Sequence, residues 1–99
     1  MRYHLLTTDH FNRWLAGIRD RQAARAIAQR LDRAAAGNLG DIKSVGQGVS
    51  EMRVFAGSGY WLYFSIRDGE LIILLCGGKK SSQSRDIVRA QRILSEVEV

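Results

Sequence analysis

The chain has no proline, one cysteine and two histidines among its 99 residues. Without proline, nothing in it reads as a rigid linker or a disordered tail. A lone cysteine closes no internal disulfide, which points to a reducing compartment. Cys76 ends an apolar run and reads as a small buried hydrophobe rather than a nucleophile. His4, His10 and Cys76 do not have the spacing of a metal site, and no nucleotide-binding loop accompanies them. No metal and no cofactor are therefore expected. No apolar run is long enough to span a bilayer, and the N-terminal residues do not resemble a signal peptide. The expectation is a cytoplasmic protein with no membrane partner.

What the chain does have is positive charge. The formal charge is +5 and the isoelectric point about 10.0, while 45% hydrophobic and 25% charged residues are ordinary for a globular domain. The length suits one domain, residues 1–99, with a modest core. A basic domain of this size favours nucleic acid, an anionic surface or an acidic protein as partner.

Along the chain, Tyr3 to Thr7 reads as a short strand, and Thr8 or Asp9 can cap a helix. Phe11, Trp14, Leu15 and Ile18 then recur at i, i+3, i+4 and i+7, which makes one apolar stripe. Asp20 can cap a second helix with a buried face of Ala24, Ile27, Ala28, Leu31 and Ala35, stopped by Gly37. Arg19, Arg21, Arg25, Arg30 and Arg33 fall on its polar side. The two helices are expected to form an antiparallel hairpin.

Val45 lies in a short extended piece between Gly40 and Gly46. Val49 to Ala56 alternates, with Met52 and Val54 opposite in sense to Glu51, Arg53 and Phe55. Gly57-Ser58-Gly59 marks a turn. Tyr60 to Arg67 is a strand with Tyr60, Leu62, Phe64 and Ile66 on one face and Trp61, Tyr63, Ser65 and Arg67 on the other. Asp68-Gly69 is a hairpin signal. The unbroken apolar run Leu71 to Cys76 is expected at the centre of the sheet. Ser81 to Ser84 offer caps for a last helix burying Ile87, Ala90, Leu94 and Val97 and exposing Arg85, Arg89 and Arg92. The expected fold is α+β in the order β-α-α-β-β-β-α, with a largely antiparallel sheet.

This order, together with GNLGDIK at 37–43, VGQGVSEMR at 45–53, GSGYWLYF at 57–64 and LLCGGKKSSQSRDI at 74–87, resembles the RelE/ParE superfamily of bacterial toxins. The nearer likeness is to its HigB-like, phage-derived addiction-module killer branch. The resemblance covers nearly the whole chain. Two positions depart from the family pattern: Trp61 stands where arginine is usual, and no tyrosine follows Tyr63, whereas the RelE branch uses one near its C-terminus.

The resemblance implies the toxin of a type II toxin–antitoxin module, acting as a metal-independent, ribosome-associated endoribonuclease on mRNA. Such cleavage needs a 2′-hydroxyl to attack its neighbouring phosphate in line, cations on the phosphate oxygens and a proton for the leaving oxygen. Arg53 matches the family's sheet arginine and is the first candidate for holding the scissile phosphate. Lys43, Lys79 and Lys80 are the further catalytic candidates. Tyr60 and Trp61 are candidates for stacking on a base, although Tyr60 shares a face with core residues. Gln83 belongs to the SSQ-x-x-D pattern with Asp86, whose simpler reading is a helix cap and a carboxylate near a helix N-terminus. The Gly77-Gly78 pair permits close backbone approach. Two other activities fit the same resemblance: a ParE-like gyrase poison, or a degenerate toxin serving only as partner of its antitoxin. The implied partners are a cognate antitoxin, a small helix-turn-helix protein, mRNA on the ribosome, and operator DNA reached only through the antitoxin.

Overall fold

A computed structural model describes residues 2–97. The order is β1 (His4–Thr7), α1 (Asp9–Ala16), α2 (Arg21–Ala35), β2 (Ile42–Gly46), β3 (Val49–Val54), β4 (Tyr60–Arg67), β5 (Leu71–Gly78), a 3-10 turn (Lys80–Ser82) and α3 (Gln83–Glu96). The sheet is ordered β1-β5-β4-β3-β2. β1 joins β5 in parallel and every other pairing is antiparallel. The piece around Val45 is thus a fourth strand after the helices, one more than expected. It is an edge strand built on a two-residue turn in which Gln47 and Gly48 both take positive φ. Asp68-Gly69 forms the other such turn, as its sequence predicts. That backbone carries the right-handed twist of paired strands.

The sheet is covered on both faces. Tyr60, Leu62, Phe64, Ile72 and Leu74 pack against α1 and α2, while Trp61, Tyr63, Ile73, Leu75 and Cys76 pack against α3. Burial on two sides explains why β5 is apolar at every position rather than alternately. A bulge shifts the β4–β5 register between Tyr63 and Phe64, so that Leu75 and Cys76 both serve the α3 side.

Both helix starts follow from their capping residues. Thr8 accepts from the Phe11 amide, and Asp20 from those of Gln22 and Ala23. The buried arc of α2, however, is Ala23, Ile27, Arg30, Leu31 and Ala34, with Ala28 exposed. The sequence places the face one residue away because alanines carry little burial energy. Ile27 and Leu31 set the rotation, and Arg30 is drawn in because its Nη2 donates to the Leu39 carbonyl. In α3 the most buried residues are Asp86, Ala90 and Ile93, flanked by Ile87 and Leu94. That arc is turned toward Asp86 because the carboxylate sits on Gly78, where there is no side chain in the way.

Candidate functional site

Two strands lose a neighbour at the same end of the sheet. β2 begins opposite Met52, so Arg53 and Val54 have no strand on their outer side. β1 stops opposite Leu74, so Leu75 to Gly78 have no strand on theirs, the Thr8 hydroxyl taking the Leu75 carbonyl instead. Between these edges runs one cross-strand row, Arg53 beside Trp61 and Trp61 beside Gly78. A cationic groove opens at each side of the row.

At the β3 side, a groove of about 360 Å³ is lined by Ala26, Gln29, Arg30, Arg33, Arg53 and Phe55. The Arg53 guanidinium lies 4.6 Å from the centre of the Phe55 ring and 5.0 Å from that of Trp61. The two ring faces hold a planar cation in place without neutralising it. Arg53 is exposed, and Phe55 is 79% exposed. Arg30 is the opposite: 6% exposed, with its Nη1 buried and unpartnered among the described residues. Burial lowers its pKa from the ordinary value, Arg33 adds to the shift and Asp41 opposes it.

At the β5 side, a groove of about 720 Å³ is lined by Trp14, Gly77, Gly78, Lys79 and, along one stripe of α3, Arg85, Arg89 and Arg92. Its floor is fixed by packing. A Cβ on Gly77 would collide with the Trp14 ring, and one on Gly78 with the Asp86 carboxylate. The close approach expected of this glycine pair is therefore made by the protein's own side chains, at ordinary φ. Ser82 Oγ donates to Asp86 Oδ2 at 2.5 Å, so the serine hydroxyl serves the carboxylate rather than capping the helix amides. Beneath lie two acids that stay protonated. Burial, then Asp86, pushes the Cys76 thiol up to about 11. Burial, then Asp86 and Glu51, raises the Tyr63 hydroxyl well above its usual range.

The candidates from the sequence are not gathered in one hollow. Arg53 lines the β3 groove. Lys79 lines the β5 groove and reaches toward the hairpin side, its Nζ 5.9 Å from the Tyr60 ring centre. Lys43 stands within β2, paired with Glu51 across the ladder. Lys80 is exposed in the 3-10 turn, and Gln83 is the first residue of α3. Tyr60 and Trp61 are each 7% exposed. Tyr60 packs edge-on to Trp14 at 6.1 Å, and the Trp61 ring is covered by Arg53, so neither offers a free face to a base. The grooves also contain residues that sequence reasoning left unassigned. Arg85, Arg89 and Arg92 have a signal, their i, i+4, i+7 spacing behind a lysine pair. Arg30, Arg33 and Phe55 have none, because only the fold brings α2 to the end of β3.

No family model matches the chain. An uncharacterized protein of Haemophilus influenzae is 41% identical over 97 residues, which is 98% of each chain. This chain belongs to the same family as that protein. Among solved structures, a mutant of the E. coli toxin RelE in the free state superposes with a TM-score of 0.74. The match covers 99% of this chain and 100% of that one at 13% identity. The fold is the RelE fold, the α+β arrangement that the sequence motifs imply. Among the described residues, no helix is long and apolar enough to cross a membrane, and no three His, Cys, Asp or Glu side chains cluster as metal ligands.

Proposed function

We propose that this protein is the toxin of a toxin–antitoxin pair, of the HigB-like branch, and that it cleaves mRNA on the ribosome. The observation that carries the reading is Arg53, an exposed guanidinium clamped by two aromatic rings at a bare strand end of a RelE fold. Its outward N–H groups suit two oxygens of one phosphate. In this reading the ribose 2′-hydroxyl gives its proton to a water molecule and attacks the adjacent phosphorus. Arg53 stabilises the charge that builds on the phosphoryl oxygens, and the bond to the 5′ oxygen breaks to leave a 2′,3′-cyclic phosphate and a free 5′-hydroxyl. Lys79, from the other side of the same sheet end, is assigned to protonate the leaving oxygen. Lys43 is assigned to a flanking phosphate. A small helix-turn-helix antitoxin would neutralise this end of the sheet, and its acidic segments would meet both grooves.

The test is induced expression followed by primer extension on abundant translated messages. New discrete 5′ ends that disappear with Arg53→Ala are the expected result. Growth arrest without such ends, accompanied by accumulating gyrase–DNA cleaved complexes, would replace this reading with gyrase poisoning. Absence of arrest would leave only the antitoxin-partner role.

A further inference from the structure

The β3 groove holds more than one scissile phosphate requires. Three arginines from two elements line it, and no carboxylate does. One of the three, Arg30, is nine-tenths buried with an Nη1 that finds no acceptor among the described residues. Its guanidinium lies against Gly40 with Asp41 acting on it from outside the groove, so Arg30 adds positive potential to the groove wall while Arg33 and Arg53 present exposed donors. Beside these cations stands Phe55, a large apolar ring at 79% exposure with Arg53 over one face. An exposed aromatic against an arginine cluster does not fit core packing. It fits a single-stranded nucleic acid, whose phosphates take the cations and whose base takes the ring. A second hollow of about 280 Å³, lined by Arg53, Phe55 and the Gly57-Ser58-Gly59 turn, continues past the ring.

We propose that the groove between α2 and β3 is a nucleotide subsite flanking the reacting phosphate, in which Arg33 holds an RNA backbone phosphate, the buried Arg30 adds to the positive potential of the wall, and Phe55 stacks the base. The inference rests on the ribonuclease reading for its ligand but not for its test. The probe is a fluorescent single-stranded oligonucleotide with 2′-O-methyl riboses, which the protein can bind and cannot cut. Binding is read by anisotropy across a salt series. Phe55→Ala weakens binding about tenfold and Phe55→Tyr restores it. Arg33→Gln flattens the dependence of log affinity on log salt by about 0.7, the loss of one phosphate contact on a single strand. Both side chains are exposed, so the variants keep the fold. Unchanged affinity and slope in both variants would overturn the subsite whether or not the protein cleaves RNA. So would a polyglutamate peptide whose binding is as sensitive to Phe55→Ala as the oligonucleotide's, since the ring would then not be reading a base. Oligonucleotide binding with the expected sensitivities, in a protein that cuts no message, would keep the subsite and discard the ribonuclease reading.

Discussion

The two grooves arise in the same way, from a strand that outruns its neighbour, and are finished differently. At the end of β5 the gap is packed: Trp14 lies on Gly77, Asp86 on Gly78, and the arginines of α3 stand above a floor that tolerates no added atom. At the end of β3 the gap is open: Arg53 rests on two rings, Phe55 faces solvent, and Arg30 is sunk in the wall with an Nη1 that has no partner among the described residues. Equal charge thus carries different chemistry. The first groove has a carboxylate among its cations and a rigid base. The second joins its cations to an exposed aromatic with no carboxylate in its lining, the combination that suits a single-stranded polyanion with stackable bases.

The sharpest way to separate the grooves is to remove one arginine from each. Arg53→Ala is expected to lower mRNA cleavage at least about 100-fold, the usual loss when one stabiliser of transition-state charge is removed. Arg89→Ala, on the β5 side, is expected to cost less than about fivefold in the same primer-extension or purified-ribosome assay. Equal losses would make the two grooves one site.

The rigidity of the β5 floor is tested by Gly78→Ala, which forces a methyl into the Asp86 carboxylate. A loss of about 2 kcal/mol of unfolding free energy is expected, as for overpacked cores, read as a lowered urea midpoint at unchanged slope. An unchanged midpoint would mean that the floor gives way and that the contrast with the β3 side is false.

Alkaline pH addresses the same floor more gently. The Cys76 thiol has a raised pKa in the folded chain, about 11 against 9.0 unfolded, so the stability from its neutral form is complete below pH 9 and is lost as pH rises toward 11. A decline of up to about 2 kcal/mol over that window is expected, and Cys76→Ala should remove that share of it. The Tyr63 hydroxyl is raised too, and its loss begins at the ordinary tyrosine value of 10.0, so it adds to the decline in the upper part of that window. A thiol that alkylates readily at pH 8 would contradict the packing described here. Smallest of all, Val88→Ser changes a 65% exposed side chain at the rim of the β5 groove. Its expected effect on stability is below about 0.5 kcal/mol, read from the same unfolding curve.

Much of the fold can be read from the residues because the signals are local. Thr8 and Asp20 cap their helices through their own side chains, Asp68-Gly69 turns because of its own backbone, and β4 shows its two faces by alternation. The errors fall where the signal is weak or distant. The alanines of α2 do not distinguish one rotation from the next, and β2 shows too few apolar residues to declare itself a strand. The site was legible in part for the same reason. Arg53 announces itself by standing on the polar side of an alternating strand, and Lys79 by following a glycine pair.

The amino-acid sequence by itself determined every element but β2, the helical hairpin, the two-faced sheet and the positive charge, since each depends on neighbours within a few residues along the chain. Only the tertiary structure decided that Tyr60 and Trp61 are walls rather than platforms, that Gly77 and Gly78 make room for Trp14 and Asp86, and that Arg30 and Arg33 meet Arg53 and Phe55. Those outcomes depend on where β1 and β2 stop against longer partners, and strand register is set by packing across the whole sheet rather than by any one segment.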